Sequence, residues 1–328
     1  MEKLHFSIVI PVFNRPDEIE ELLESLSKQT DKDFEVLVIE DGSTIRCEEV
    51  CKRYDGLLTL KYFFKPNSGR SETRNYGMER AQGNFFIIFD SDCIIPPAYI
   101  ETVRKALSEN YVDCYGGPDS AEPSFSNLQR AISYSMTSLM TTGGIRGATK
   151  QKDKFFPRSF NMGISKEVFE KVGGFINIIG EDIDLSFRIK NAGFKTTLIK
   201  EAYVFHKRRV DLKKFYKQVN TFGKGRVLLS RRNKGTLKAV HTFPMFFVLG
   251  IFGLILCGLL FLNPLFLLPI PIYGMALFLE SLMKNKSIMI ALLSIETSFV
   301  QLFGYGFGFI GELFSGNASQ KKQEELYK

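Results

Sequence analysis

Phe85-Phe86-Ile87-Ile88-Phe89-Asp90-Ser91-Asp92 is an apolar run that ends on two aspartates. Five apolar residues without a break predict a short strand buried on both faces of a parallel sheet, since a half-exposed strand would alternate apolar with polar. Asp90 and Asp92 then fall at its carboxyl end, the edge at which open α/β sheets bind ligands. Two carboxylates there can take a hard divalent cation that also grips phosphate oxygens. A solvated Asp-Ser-Asp turn after a core strand has the same sequence, so the tripeptide by itself does not separate a metal-diphosphate site from a surface turn.

Working outward from it, the pattern recurs. Phe6 to Ile10 is a strand that stops at Pro11, and Val12-Phe13-Asn14-Arg15 leads to a helix starting at Pro16 and Asp17, with Ile19, Leu22, Leu23 and Leu26 on one face. Phe34 to Ile39 is a second strand, closed by Glu40-Asp41-Gly42-Ser43, and Leu57 to Phe64 a third. The polar loop Lys65 to Arg70 precedes a helix, Ser71 to Arg80, whose first turn can face an anion. A helix over Tyr99 to Leu107 and a strand over Asp113 to Gly117 follow. Strands alternating with amphipathic helices predict βα units and a parallel sheet, the α/β class. Four polar strand ends thus meet at one edge: Pro11 to Asn14, Asp41, Asn67 to Arg74, and Asp90 with Asp92. A sheet protein without a ligand has little need of that coincidence.

The chain has 328 residues, 45% hydrophobic and 24% charged, which suits one large domain or two smaller ones and excludes a disordered chain. Its five cysteines, Cys47, Cys51, Cys93, Cys114 and Cys257, show neither paired CxxC spacing nor histidines at metal spacing, and read as free thiols of a reducing compartment. The opening residues lack the apolar core of a signal peptide. The net charge of +7 is unevenly divided: His206 to Lys238 carries +11, the residues after it balance, and the first 205 residues carry −4. One basic belt before an apolar tail suits a membrane surface, not a nucleic-acid groove.

The segments IVIPVFNR, VLVIEDGS, NSGRSETRNYG, FFIIFDSD, FPRSFNMGISKEVFEKVGGF and GEDIDLSFRIKNAGFK, in that order between Phe6 and His206, resemble the family 2 inverting glycosyltransferases of GT-A fold. The resemblance implies a hexosyltransferase-type enzyme that uses a nucleotide-diphosphate sugar, a UDP-sugar first, with Mg2+ or Mn2+. Asp41 would accept a hydrogen bond from the base, and Pro11, Val12 and Asn14 would wall the nucleotide. Asn67 lies in the loop that shapes donor choice. Arg70 and Arg74, four apart on one helical face beside Asn75, would meet the diphosphate or the sugar, although Glu72 and Glu79 also make them a plausible solvated face. Asp92 would bind the metal, with Asp90 touching ribose or metal, and Asn161 would belong to the acceptor side. An ordinary first-turn acid pair would look like Glu181-Asp182; in the family the aspartate of this pair is the base that deprotonates the acceptor hydroxyl, so Asp182 takes that role and Glu181 is the substitute. A single histidine is usually structural, but relatives use one at this strand end as a metal ligand, which makes His206 a partner of Asp92.

The helical pattern over Ser124 to Met140 runs into a Gly- and Thr-rich loop, Thr141 to Lys154, that could order over substrate. These regions complete a GT-A domain over 1–210. Asp211 to Arg232 predicts a basic amphipathic helix, giving an interfacial segment over 211–238. Gln218-Val219-Asn220-Thr221-Phe222 stands where processive members carry Gln-x-x-Arg-Trp, and the absence of tryptophan speaks against a processive polysaccharide synthase. Phe243 to Leu262 is uncharged over 20 residues and long enough to span a bilayer. Asn263-Pro264 turns it, Leu265 to Leu279 returns, and Ile288 to Phe314 is a third apolar stretch interrupted by Glu296 and Gln301. The region 239–328 therefore predicts two to three transmembrane helices. Basic residues before the first span and after the second predict a cytosol-facing catalytic domain on the cytoplasmic membrane. The implied partners are membrane lipids and a lipid-linked or glycan acceptor, with no nucleic acid. A nucleotidyltransferase of similar fold is the rival enzyme, distinguished by release of pyrophosphate.

Overall fold

A computed structural model describes residues 3–120, 125–143, 156–207 and 211–315. From residue 144 onward the loop predicted over 141–154 lies outside them, as do 208–210 of the basic belt. The elements are β1 (Phe6–Val12), α1 (Pro16–Ser27), β2 (Phe34–Asp41), α2 (Glu48–Lys52), β3 (Thr59–Lys65), α3 (Arg70–Arg80), β4 (Phe85–Phe89), β5 (Cys93–Ile94), α4 (Tyr99–Glu109), β6 (Cys114–Gly116) and β7 (Asp119–Ser120). Then come α5 (Asn127–Thr137), α6 (Leu139–Thr142), β8 (Asn161–Ser165), α7 (Lys166–Val172), α8 (Glu181–Asn191), β9 (Thr196–Leu198) and β10 (Val204–His206). The chain closes with α9 (Leu212–Arg232), α10 (Ala239–Leu260), α11 (Pro269–Asn285) and α12 (Ile288–Phe314).

Two compact units result, and the first holds the described residues up to 120 together with 156–206. Its main sheet has seven strands in the order β3-β2-β1-β4-β8-β6-β9. The strands predicted from apolar runs, β1 to β4, are parallel, with Phe6 opposite Phe34 and Phe85. Strand β8, which its Asn-Met-Gly-Ile-Ser sequence does not announce, runs antiparallel to both β4 and β6. The sheet is therefore mostly parallel, as the alternating pattern predicts. A second sheet, β5-β10-β7, lies beyond the end of β4 and carries Cys93 opposite His206.

Strand alternation divides the core. Ile8, Ile10, Val36 and Ile87 face the side covered by α1, whose Ile19, Leu22, Leu23 and Leu26 are fully buried. Val9, Leu37 and Ile88 face the side covered by α3 and α8 through Met78, Leu185 and Ile189. Every residue of β4 is at most 1% exposed, so trimming Ile87 to alanine would cost about 2–5 kcal/mol. That rigidity holds the polar loops at the strand ends.

The second unit contains α5, α6 and α9 to α12. The helix predicted over Ser124 to Met140 is broken at Ser138, whose extended backbone ends α5 and whose hydroxyl accepts from the Met140 amide at 3.1 Å to cap α6. This segment groups with the C-terminal helices although it lies inside the 1–210 span predicted for the catalytic domain. Three stretches, Ala239–Leu260, Pro264–Asn285 and Ile288–Phe314, are long and apolar enough to cross a membrane.

Candidate active site

The loops after β2 and β3 close on each other through Asp41. One carboxylate oxygen accepts from the Ser68 amide at 2.9 Å and from Lys65 Nζ, and the other from the Gly69 amide at 2.9 Å. Asn67 Nδ2 donates to the Asp41 carbonyl at 2.8 Å. Gly42, with φ +70°, lets the two loops touch, since a β-carbon there would sit 2.6 Å from the Asn67 nitrogen. Asp41, predicted to receive a base N–H, thus has both oxygens engaged within the protein.

Asn14 performs a similar task between β1 and β2. In left-handed backbone, φ 54°, its Oδ1 accepts from the Thr44 and Ile45 amides at 2.8 and 3.0 Å, and its own amide donates to Ser43 Oγ at 2.8 Å. Val12 is buried and Pro11 half-buried at the end of β1.

Arg74 is 2% exposed and links two acids. Its Nη2 donates to Asp90 Oδ1 at 2.7 Å and its Nη1 to Glu181 Oε1 at 3.1 Å. Arg70 adds a 2.8 Å hydrogen bond to Glu181 Oε2. Burial opposes the Arg74 charge, and the two carboxylates more than restore it. These arginines, predicted to face donor, are spent on protein carboxylates, and Glu181 sits 3% exposed between them.

Asp182, the first-turn neighbour of Glu181 in α8, is treated differently. Its Oδ1 accepts from the Ile183 amide at 2.8 Å, and its Oδ2 lies 3.5 Å from Arg158 Nη1 without a hydrogen bond. Burial pushes its carboxyl up, but Arg158, the Ile183 amide, Arg70 and Arg74 outweigh that and hold it below the usual carboxylate range. Among the described residues it is the one acid of the set Asp41, Asp90, Asp92, Glu181 and Asp182 with no direct hydrogen bond from an arginine or lysine.

Asp92 faces two nitrogen groups. Oδ2 accepts from Arg15 Nη1 at 3.0 Å, and Oδ1 lies 3.1 Å from His206 Nε2. Burial opposes its charge, yet His206 and Arg15 hold the carboxyl far below its usual range. The His206 ring stacks on Phe160 with centroids 4.8 Å apart, which fixes its orientation. Ligand atoms of Asp92, Cys93 and His206 all lie within 4.8 Å of one another. Burial, together with the nearby charges of Asp92 and Asp90, pushes the Cys93 thiol well above its usual range, so it stays protonated and is a poor ligand for a hard cation. A carboxylate and an imidazole suit Mn2+ or Mg2+, and the Arg15 guanidinium already stands as a cation on the same carboxylate. Asp90 lies outside this group and turns to Arg74.

Two predicted contacts are structural clasps. Asn75 exchanges two 2.8 Å hydrogen bonds with the backbone of Phe175, tying α3 to the Gly173-Gly174 turn. Asn161 is wholly buried and bonds Tyr99 at 2.5 Å and the Ala202 carbonyl at 2.8 Å. Arg15, Lys65 and Arg158 carry the counter-charges, and the sequence pattern had not singled them out. Arg15 and Arg158 lie inside the segments IVIPVFNR and FPRSFNMGISKEVFEKVGGF, and Lys65 opens the loop that carries Asn67, which were the signals available.

The protein-family model for glycosyl transferase family 2 matches residues 7–173. The chain spans only 16 and 17% of the length of the first curated relatives it matches. Glycosyltransferase AglE of Haloferax volcanii is 25% identical over 256 residues, covering 74% of this chain and 80% of that one. Among solved structures, the mannosyltransferase PcManGT of Pyrobaculum calidifontis, in complex with GDP-Man and Mn2+, aligns with TM-score 0.59 and 17% identity over 96% of this chain and 89% of that one. S. aureus TarS 1–349 in complex with UDP-GlcNAc aligns with TM-score 0.51 and 17% identity, over 95% and 92%. At these identities the likeness shows the fold.

Proposed function

The chain belongs to glycosyl transferase family 2, and on that premise we propose that it is a membrane-anchored, cytosol-facing inverting transferase that moves a sugar from a nucleotide-diphosphate donor to a hydroxyl of a lipid-linked or membrane-proximal glycan acceptor. The observation that carries the proposal is the contrast at the start of α8. Glu181 is neutralised by two arginines, while Asp182 is ionised and free of a charged hydrogen bond. A general base needs that state.

In the proposed step the acceptor oxygen bonds to C1 of the sugar as its proton passes to Asp182. The C1–phosphate oxygen bond breaks on the opposite face, and the nucleoside diphosphate leaves with that electron pair. A divalent cation held by Asp92 and His206 would offset charge on the departing diphosphate. Asp41 supports nucleotide binding indirectly, by fixing the Asn67 to Gly69 loop.

The solved neighbours carry GDP-Man and UDP-GlcNAc, so both nucleotide classes belong in the assay, UDP-sugars first. Purified full-length protein with Mn2+ is offered a panel of UDP- and GDP-sugars, and released nucleoside diphosphate is measured. Release from one donor class, abolished by excess EDTA and restored by Mn2+, is the expected result. Pyrophosphate release would instead identify nucleotidyl transfer, and full activity in EDTA would remove the metal.

A further inference from the structure

Resting on the membrane-anchored reading, we propose that α12 lies along the membrane interface and does not cross the bilayer, so that the α10–α11 hairpin alone spans. The surface in question is the outward apolar face of α12, and the partner it fits is the lipid boundary.

Both ends of α12 are tied to the same side of that hairpin. Its first residue, Ile288, follows the last residue of α11, Asn285, after two residues. Ser281, in the last turns of α11, shares a 2.7 Å hydrogen bond with Ser294. Toward the far end of α12, Gly306 lies against the Pro244 carbonyl and the Val248 side chain in the first half of α10. Beyond it, Arg231 reaches Glu312, with Nη1 3.2 Å from Oε1 and Nη2 2.9 Å from the carbonyl. Arg231 lies in the last turn of α9, which ends at Arg232, and α10 begins at Ala239, so the chain between the two helices can reach at most roughly 25 Å. Antiparallel spans put the start of α10 and the end of α11 at one surface. A helix of 27 residues, roughly 40 Å long at 1.5 Å per residue, whose two ends both meet that surface has no room to traverse.

Charge agrees with geometry. Helix α9 packs closely along the second half of α12: Asn220 Nδ2 donates to the Gly304 carbonyl at 3.1 Å, and a methyl group at Gly308 would overlap the Asn220 carbonyl. The outer face of α9 exposes Lys213, Lys214, Lys217 and Lys224. Were α12 transmembrane, those four ammonium groups would sit beside it in hydrocarbon, which insertion strongly disfavours. The exposed Glu296 would join them. The inner face of α12 buries Ser294, Thr297, Ser298 and Gln301 in protein, while Leu292, Leu313 and Phe314 point outward. Apolar-out packing with lysines on the far side of the partner helix is the profile of a layer between lipid and water. Consistently, 44% of the most apolar part of α12 is buried in protein, against 11 and 17% for the two hairpin stretches.

Single cysteines test this in a Cys257→Ser background, with a membrane-impermeant maleimide applied to intact and to opened right-side-out vesicles. Leu262→Cys marks the hairpin tip, Lys217→Cys marks α9, and Ser315→Cys follows α12. Ser315→Cys is expected to label with Lys217→Cys and opposite to Leu262→Cys. Labelling of Ser315→Cys together with Leu262→Cys overturns the proposal and leaves the anchor intact. Equal labelling of all three from one side overturns the hairpin, and the proposal with it.

Discussion

Glu181 and Asp182 are adjacent acids that the protein drives to different ends. Asp182→Asn should lower transfer by about 10²–10⁴-fold with little change in thermal midpoint, the usual contribution of a general base. Glu181→Gln should act mainly on stability, because it leaves Arg70 and the buried Arg74 short of a counter-charge, a loss of about 3–5 kcal/mol for a broken buried pair. Near-wild-type transfer by the Asp182 variant would reassign the base. Since the Asp182 carboxyl is held below its usual range of about 3.9, it stays deprotonated on acidification down past that value. The rate should therefore show no loss from this group between pH 5 and 8, and an acid limb centred near 6 would point to another base. At Asp92, Arg15→Gln removes a competing cation and should tighten Mn2+ binding several-fold, read by electron paramagnetic resonance of the free ion; unchanged affinity would mean that Arg15 does not share the carboxylate with metal. The motif spacing made the acid pair legible. The different neighbours of the two acids were not, because Arg74 arrives from 107 residues earlier and no local pattern records that.

Among elements, legibility followed burial. Strands β1, β2 and β4 are buried on both faces, which forces continuous apolar runs that can be recognised from the sequence. Strands β5, β7 and β10 have two or three residues and exist through pairings such as Cys93 with His206, far apart in the chain. They nonetheless position a candidate metal ligand. Glu35 shows how the readable strands are braced: its carboxylate accepts from Ser7 Oγ at 2.7 Å, the Gln82 amide at 2.6 Å and Lys61 at 2.9 Å, joining β2 to β1, β3 and the turn before β4. Burial raises its pKa, but these donors outweigh it and lower the net value. A depressed folded pKa stabilises the protein above the unfolded value of about 4.3 and ceases to do so as pH falls through the folded value. Glu35→Leu should therefore cost about 1–3 kcal/mol at pH 7 by stranding Ser7 and the Gln82 amide. The gap in thermal midpoint from wild type should narrow below pH 4; a gap that widened there would reverse the sign argued for Glu35.

Across the whole molecule two kinds of membrane attachment are available, and they separate by experiment. The +11 belt can hold an anionic surface, an attraction screened within about 3 Å at 1 M salt. The α10 and α11 hairpin offers apolar surface, with Leu256, Leu259, Leu260 and Ile272 between 56 and 69% exposed and Leu262 at 89%. Among the described residues of the second unit that surface has no protein cover, and the contact with lipid it offers would not be weakened by salt. The long apolar stretches were legible because a bilayer would demand that apolar length. The inclusion of α5 in their unit was not, because its contacts, such as Thr297 Oγ1 to the Ala131 carbonyl at 3.1 Å, bridge 166 residues. Membranes washed with 1 M NaCl and then alkaline carbonate should keep the protein in the pellet, and detergent should release it. Replacing Lys213, Lys214, Lys217 and Lys224 by glutamine should leave that pattern intact. Leu249→Arg with Leu256→Arg, on either side of the middle of the apolar run and exposed, each charge costing up to about 2.5–3.5 kcal/mol to insert in a span, should shift protein out of the washed pellet. Release of the wild type by salt alone would mean that the belt is the anchor and the hairpin stays out of the bilayer.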